Sequence, residues 1–271
     1  MQATIGLEET MIELTFLGTC SGTEPMPNRH HSCVVMEIGG RYYWFDAGEN
    51  CSHAAYTSDI DVSRIRAVFI SHMHVDHIGG LANLLFTVHK VAKVKKRRHI
   101  NGNSYDVFVP DLDCFAAVKK IGAIGSPEGI SGFGVFPYEH AVTDGVIFED
   151  DAVRVTALHN AHLKETGEDG WHSYSYLIEA EGKRIVYSGD VKTPKELDAY
   201  LAKGCDVLIM ETGHHSVEDV CGYAKEQKVK KLLLTHHGRE ILGDVAGAEQ
   251  RLPSLHSDAK ICHDGDRICL S

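Results

Sequence analysis

Ser71-His72-Met73-His74-Val75-Asp76-His77-Ile78-Gly79-Gly80 is the stretch on which the reading of this 271-residue chain turns. It holds three histidines and an aspartate in the pattern H-x-H-x-D-H. Chance gives roughly 0.005 such occurrences in a chain with this histidine and aspartate content. The apolar run RAVFI (66–70) precedes it and reads as a short buried strand. LANLLFTVHKVAKV (81–94) follows with helical spacing. In extended backbone, side chains two residues apart face the same side. His72 and His74 can therefore share one metal ion. Asp76 and His77 fall at the start of a helix and can face a second ion a few ångströms away. Imidazole and carboxylate donors suit Zn2+, and Mn2+ and Fe2+ accept the same set.

Working outward, further donors stand at the ends of apolar runs. Asp190 ends IVYSGD, where a carboxylate can bridge two cations. His236 ends LLLTHH, with His237 beside it as a residue behind the site or in solvent. The segment VTALHNAH offers His159 or His162, and the strand-plus-loop pattern favours His162. The chain holds 18 histidines, about three times the usual share for its length.

The remaining pattern alternates strands and helices. IELTFL (12–17) reads as a strand. SCVVMEI (32–38) and RYYWFD (41–46) form a hairpin about Gly39-Gly40. DVFVP (106–110), VRVTAL (153–158), SYSYLIEA (173–180), KRIVYSG (183–189), CDVLIME (205–211) and KKLLLT (230–235) read as strands. DLDCFAAVKKIG (111–122), TPKELDAYLAKG (193–204) and VEDVCGYAKEQ (217–227) read as helices, the second opened by a Thr cap and Pro. SPEGISGFG (126–134) reads as a loop. KICHDGDRICL (260–270) reads as a closing hairpin about Asp264-Gly265. No internal repeat or linker divides the chain, so residues 1–11 are read as a loose leader and 12–271 as one domain.

With FDAG (45–48), HMHVDH (72–77), His162, Asp190 and His236 in this order, the chain resembles the metallo-β-lactamase fold superfamily from about Ile12 onward. The resemblance implies a four-layer αββα sandwich of two mixed β-sheets with outer helices, the metals lying at one edge. It implies His72, His74 and His162 on one metal, Asp76, His77 and His236 on the other, and Asp190 bridging them with a hydroxide. Asp46 would organise the ligands from behind. TFLGTCSG (15–22), DAGEN (46–50) and ETGHHSVEDV (211–220) resemble the ribonuclease Z branch. In that branch a histidine followed by Ser or Thr assists the leaving group. Here His215, followed by Ser216, fits that place, with His214 as the rival. Asp76 would orient the hydroxide and take its proton. Homodimerisation is also implied by this branch. Its long Gly/Pro-rich arm for gripping tRNA has no counterpart in this sequence, and the phosphonate-pathway cyclic phosphodiesterases share the motifs without the arm.

The implied activity is a dinuclear metal-dependent phosphodiesterase acting on an RNA end or a small or cyclic phosphodiester. The same metal pair could instead serve a thioester or lactone hydrolase. Lys plus Arg number 27 against 38 Asp plus Glu, a net charge of −11, so bulk charge gives no general pull on nucleic acid. The basic run HKVAKVKKRRH (89–99) is a local exception. Arg29, His30 and His31 are placed in a turn, and Met73 and Ile78 in packing. No apolar run reaches the ~18 residues of a membrane span, and no basic segment opens the chain as a secretory signal would. Eight scattered cysteines without a CxxC pair read as free thiols in a reducing cytoplasm.

Overall fold

The computed structural model describes residues 11–22, 26–122, 135–163 and 170–270. The loose leader and the loop at 126–134 lie outside these residues, apart from Met11. In chain order the elements are β1 (Ile12–Gly18), β2 (Cys33–Ile38), β3 (Arg41–Phe45), α1 (Cys51–Thr57), β4 (Ile65–Phe69), α2 (Val75–Ile78), α3 (Leu81–Val94), β5 (Ser104–Val109), α4 (Leu112–Ile121), β6 (Phe136–Ala141) and β7 (Gly145–Glu149). Then come β8 (Val153–His159), β9 (Tyr174–Ala180), β10 (Lys183–Tyr187), α5 (Asp198–Leu201), β11 (Val207–Thr212), α6 (Val217–Glu226), β12 (Lys231–His237), α7 (Arg239–Gly243), α8 (Val245–Leu255), β13 (Ala259–Ile261) and β14 (Arg267–Leu270).

Two seven-stranded sheets form, in the orders β14-β1-β2-β3-β4-β5-β6 and β13-β12-β11-β10-β9-β8-β7. Both are mixed. β3 to β6 run parallel in the first, and β10 to β13 in the second. The reason lies in the strand sequences, which are apolar on both faces rather than alternating. Val34, Met36, Tyr43, Phe45 and Phe69 of the first sheet meet Tyr176, Ile178, Ile185 and Ile209 of the second in one inter-sheet core. Val35, Trp44 and Val68 face the other way, under Leu84, Leu85 and Phe115 of α3 and α4. Leu208, Met210 and Leu234 likewise pack under Val220, Ala224 and Leu252 of α6 and α8. Each fully buried large side chain contributes about 1.5–3 kcal/mol. The result is the expected αββα sandwich.

Two elements differ from the sequence expectation. Residues 260–270 do not close as a hairpin: β13 pairs with β12 in one sheet and β14 with β1 in the other. The Asp264-Gly265 bend therefore crosses between the sheets. The helix expected over 193–204 is a 3-10 turn, Pro194–Leu197, continuing into the short α5. Its Thr193 cap holds, reinforced by Glu196 in a capping box. The two-glycine turn at Gly39 and Gly40 is as expected, with φ of 55° and 71°.

Candidate metal centre

The strands β3, β4, β8, β10, β11 and β12 all direct their C-terminal ends to one edge of the sandwich, where a parallel arrangement leaves a crevice. β4 ends at Phe69 and delivers Ser71 and His72. His74 caps α2, which carries Asp76 and His77. His162 lies three residues beyond β8 and Asp190 three beyond β10, while His236 stands within the last turn of β12. Gly189 (φ 55°) admits this close approach, since a Cβ there would lie 2.8 Å from the Cβ of Ser71.

The side chains converge in two groups. In the first, His72 Nε2 lies 2.9 Å from His74 Nδ1, and His162 Nε2 lies 3.4 Å from the same atom. Asp190 Oδ2 faces this group at 3.8 Å from His72 Nε2 and 3.7 Å from His162 Nε2. In the second, His236 Nε2 lies 3.1 Å from Asp76 Oδ2, and His77 Nε2 lies 3.6 Å from it. Asp190 Oδ1 lies 3.4 Å from both His77 Nε2 and His236 Nε2. A tetrahedral ion with ligands at 2.0–2.1 Å needs donor–donor edges of about 3.3–3.4 Å. Both groups approximate that cage, and Asp190 gives one oxygen to each. His77 Nε2 and Asp190 Oδ1 are buried without a hydrogen-bond partner. Such orphaned donors are costly unless something binds them. The residues therefore fit two divalent cations.

Behind the ligands stands a second layer of hydrogen bonds. Asp46 is fully buried and accepts from Ser71 N (2.7 Å), Ser71 Oγ (2.8 Å), His77 Nδ1 (2.7 Å) and Tyr187 Oη (2.7 Å). By accepting the Nδ1–H hydrogen bond it holds the tautomer in which His77 Nε2 can offer its lone pair to a metal. Asp46 (φ 57°) and His236 (φ 49°) both adopt the left-handed conformation, which costs a non-glycine residue about 1–3 kcal/mol. Burial opposes charge on His77, yet Asp190 and Asp46 outweigh it and raise the pKa. For His236 burial is likewise outweighed, by Asp190, Asp76 and Glu211, and the pKa rises to about 9. His72 is driven down by burial and by the surrounding imidazoles. Asp76 stays ionised despite burial because His236 and His77 face it.

Glu211, which opens ETGHHSVEDV but is not singled out by the sequence reading, stands directly behind the site. It is 1% exposed at the end of β11, and accepts from Gly213 N (2.9 Å), His214 N (2.9 Å) and His214 Nδ1 (3.1 Å). The Oε2 that accepts from the two backbone groups also faces His236 Nδ1 at 3.8 Å. The signal for it was a carboxylate closing an otherwise apolar strand, just ahead of Gly213-His214-His215.

The ambiguous histidines separate cleanly. His159 is not among the converging ligands: its ring stacks on Trp171 (centroids 4.1 Å apart) and its N and Nδ1 bond Asp144 at 2.7 and 2.6 Å. His237 is buried against Thr212 Oγ1 and Cys262 O. His214 turns toward the cluster, 3.8 Å from Asp190 Oδ2 and with its ring centroid 5.0 Å from that of His162. Its hydrogen bond to the Glu211 carboxylate raises its pKa. His215 points instead to the backbone, with Nε2 3.0 Å from Val191 O. The structure thus brings His214, rather than the expected His215, to the face of the metal cluster. Arg29 and His30 hold the Asp264 turn, as a structural role would require. The basic run lies away from the site. Arg97 pairs with Asp61 at 2.7 Å and Ile100 N bonds Ser63 O, at the start of β4. The length of that strand, roughly 17 Å, separates it from the metal edge.

The fold and the converging ligands define a metal-dependent hydrolase of the metallo-β-lactamase superfamily, on its ribonuclease Z-like phosphodiesterase branch. The chain belongs to the family described as Anti-Pycsar protein Apyc1, whose model matches residues 12–253. It is similar to ribonuclease Z of Thermococcus onnurineus, 27% identical over 268 residues that cover 83% of this chain and 85% of that protein. Among solved structures it resembles the short form of human tRNase Z, with a TM-score of 0.70, 20% identity, and coverage of 94% of this chain and 98% of that one. It also resembles the metallo-β-lactamase fold protein YhfI of Bacillus subtilis, with a TM-score of 0.72, 17% identity, and coverage of 96% and 99%.

Proposed function

We propose that this hydrolase is a dinuclear zinc phosphodiesterase acting on a small phosphodiester. The observation that carries the reading is the division of Asp190, one oxygen to each of two four-donor cages. When bound, two cations at such a site supply an activated water nucleophile and neutralise phosphate charge. The chain's own residues supply the rest. Asp76, held by His236 and lying at the open side of the second cage, orients the attacking water and accepts its proton. His214 gives its Nδ1–H to Glu211, so its Nε2 is the atom left to face the substrate and to protonate the departing alkoxide. Attack forms one P–O bond, breaks the other, and passes one proton to Asp76 and one from His214. The histidine-rich donor set supports zinc, with Mn2+ and Fe2+ as competitors.

A small or cyclic diester is favoured over RNA because the basic run sits at the far end of β4 and the net charge is −11. Six of the eight cysteines are buried and all are free thiols, which supports a reducing cytoplasm. Among the described residues no helix is long and apolar enough to cross a membrane. The homodimer implied by the ribonuclease Z resemblance belongs to the same proposal, and light scattering reads its mass.

The test is turnover by metal-loaded enzyme of bis(p-nitrophenyl) phosphate, a cyclic nucleoside monophosphate, an RNA 3′ end, a thioester and a lactone. Hydrolysis of the small diesters, abolished by chelator and restored by zinc, is expected. Preference for RNA would overturn the substrate assignment. Turnover confined to the thioester or lactone would overturn the phosphodiesterase reading.

A further inference from the structure

His162 and Asp190 each stand in a loop three residues beyond their strand, and Glu196 touches both loops. Its Oε1 accepts from Ala161 N at 2.7 Å, one residue before His162. Its Oε2 accepts from Lys192 N at 2.8 Å and Thr193 N at 3.2 Å, just after Asp190. A capping box needs only the bond to Thr193 N. The bond to Ala161, 35 residues away in sequence, serves a different end. On the buried side the same loop is held by Asn160, whose Oδ1 accepts from His162 N at 3.1 Å and whose Nδ2 donates to Ser175 Oγ. Ser175 Oγ in turn donates to Ser188 O at 2.6 Å, two residues before Asp190. The His162 loop is thus tied to the Asp190 loop twice, through Asn160 inside and Glu196 outside.

We propose that Glu196 is a positioning residue for the first cation: it fixes His162 against Asp190 and so sets the affinity of the His72–His74–His162 cage far more than that of the Asp76–His77–His236 cage, which shares only Asp190 with it. This rests on the dinuclear reading above. The asymmetry follows from the anchors of the two cages. His77 is hydrogen-bonded to the buried Asp46, and His236 is itself buried within β12 with Glu211 3.8 Å from its Nδ1. His162 depends on a surface loop, where an unanchored ligand must lose conformational freedom each time it binds. Carboxylates that hold a metal ligand from behind typically alter affinity by about 10–100-fold.

The experiment is zinc binding to the purified protein, by elemental analysis and by competition with a chromophoric chelator. The wild type is expected to bind two equivalents. Glu196→Ala is expected to retain one at wild-type affinity and to bind the other about 10–100-fold more weakly. Glu196→Gln keeps a single acceptor oxygen and should fall between. Thr193→Ala removes the capping hydroxyl without touching the Ala161 bond. It should lower the melting temperature yet leave both affinities intact, which a merely structural role for Glu196 would not reproduce. Adding Glu196→Ala to His162→Ala should weaken the first cage no further than His162→Ala alone. Wild-type affinity at both sites in Glu196→Ala, or equal loss at both, would overturn the proposal. Fewer than two equivalents in the wild type would overturn the dinuclear reading, and this inference with it.

Discussion

Glu211 accepts from His214 twice, through the backbone N at 2.9 Å and the ring Nδ1 at 3.1 Å. This pairing fixes the imidazole's orientation, with the same Nδ1 edge 3.8 Å from Asp190 Oδ2. Substituting His214→Ala should lower kcat by about 10²–10⁴-fold on a diester with an alkoxide leaving group. The loss should nearly vanish with p-nitrophenyl esters, because nitrophenolate departs without a proton. His215→Ala should stay within several-fold of wild type on both substrates. Steady-state kinetics on the two substrate types read the difference, and the reverse ranking of the two histidines would remove His214 from the role.

Asp46 serves four donors at once and touches no substrate. Asp46→Asn keeps the volume but loses an acceptor to His77. Zinc affinity of the second cage should fall about 10–100-fold. Chelator competition measures it, and unchanged affinity would show that His77 needs no such partner.

Gly22 lies against Asp76. A Cβ on residue 22 would sit 2.7 Å from Asp76 Cγ and 2.8 Å from its Oδ2. Gly22→Ala should therefore displace the carboxylate, reducing kcat by about tenfold or more with the fold preserved. Circular dichroism alongside kinetics checks this, and full activity would mean the carboxylate has room to move.

His99 is buried with Nε2 unpartnered, beside Tyr105, and burial pushes its pKa down to about 4 despite the opposing charge of Asp61. In the unfolded chain it titrates near 6.5. Between these values the unfolded chain takes up a proton that the folded one refuses, so stability falls as pH drops from about 6.5 to about 4. His99→Gln removes this component. Metal-free wild type should therefore lose about 1–3 kcal/mol more than the variant across that window, as urea unfolding at several pH values would show. Parallel pH curves would contradict the assignment.

The ligand set was legible because its chemistry is local. H-x-H-x-D-H straddles a strand end and a helix start, and that geometry follows from backbone periodicity. The long buried strands were legible for the same reason, being apolar on both faces. Edge strands were not: β6 (FPYEHA) carries Pro137 and half-exposed polar residues, and β7 is mostly exposed. α8 holds Pro253 within its span, which interrupts the helical pattern that would announce it. The hairpin expected at 260–270 failed because turn chemistry specifies a bend, while the partner of each strand is decided by distant β1 and β12. His214 and His215 are adjacent and alike in sequence. Both lie beside Glu211, and only the fold turns one toward Asp190 and the other toward Val191 O.

The ligands run from His72 to His236, and β14 closes against β1 at Ile12–Leu270. No two complete cages can exist until strands from both halves of the chain have met. Contacts of such long range form slowly, and loop-closure entropy must be overcome before they stabilise anything. On the dinuclear reading proposed above, a divalent cation is therefore expected to bind late in folding rather than to nucleate it. Choice among competing ions would then fall to a cavity already shaped by Asp46, Tyr187 and Glu211, not to a nascent peptide coiling around whichever ion it meets first.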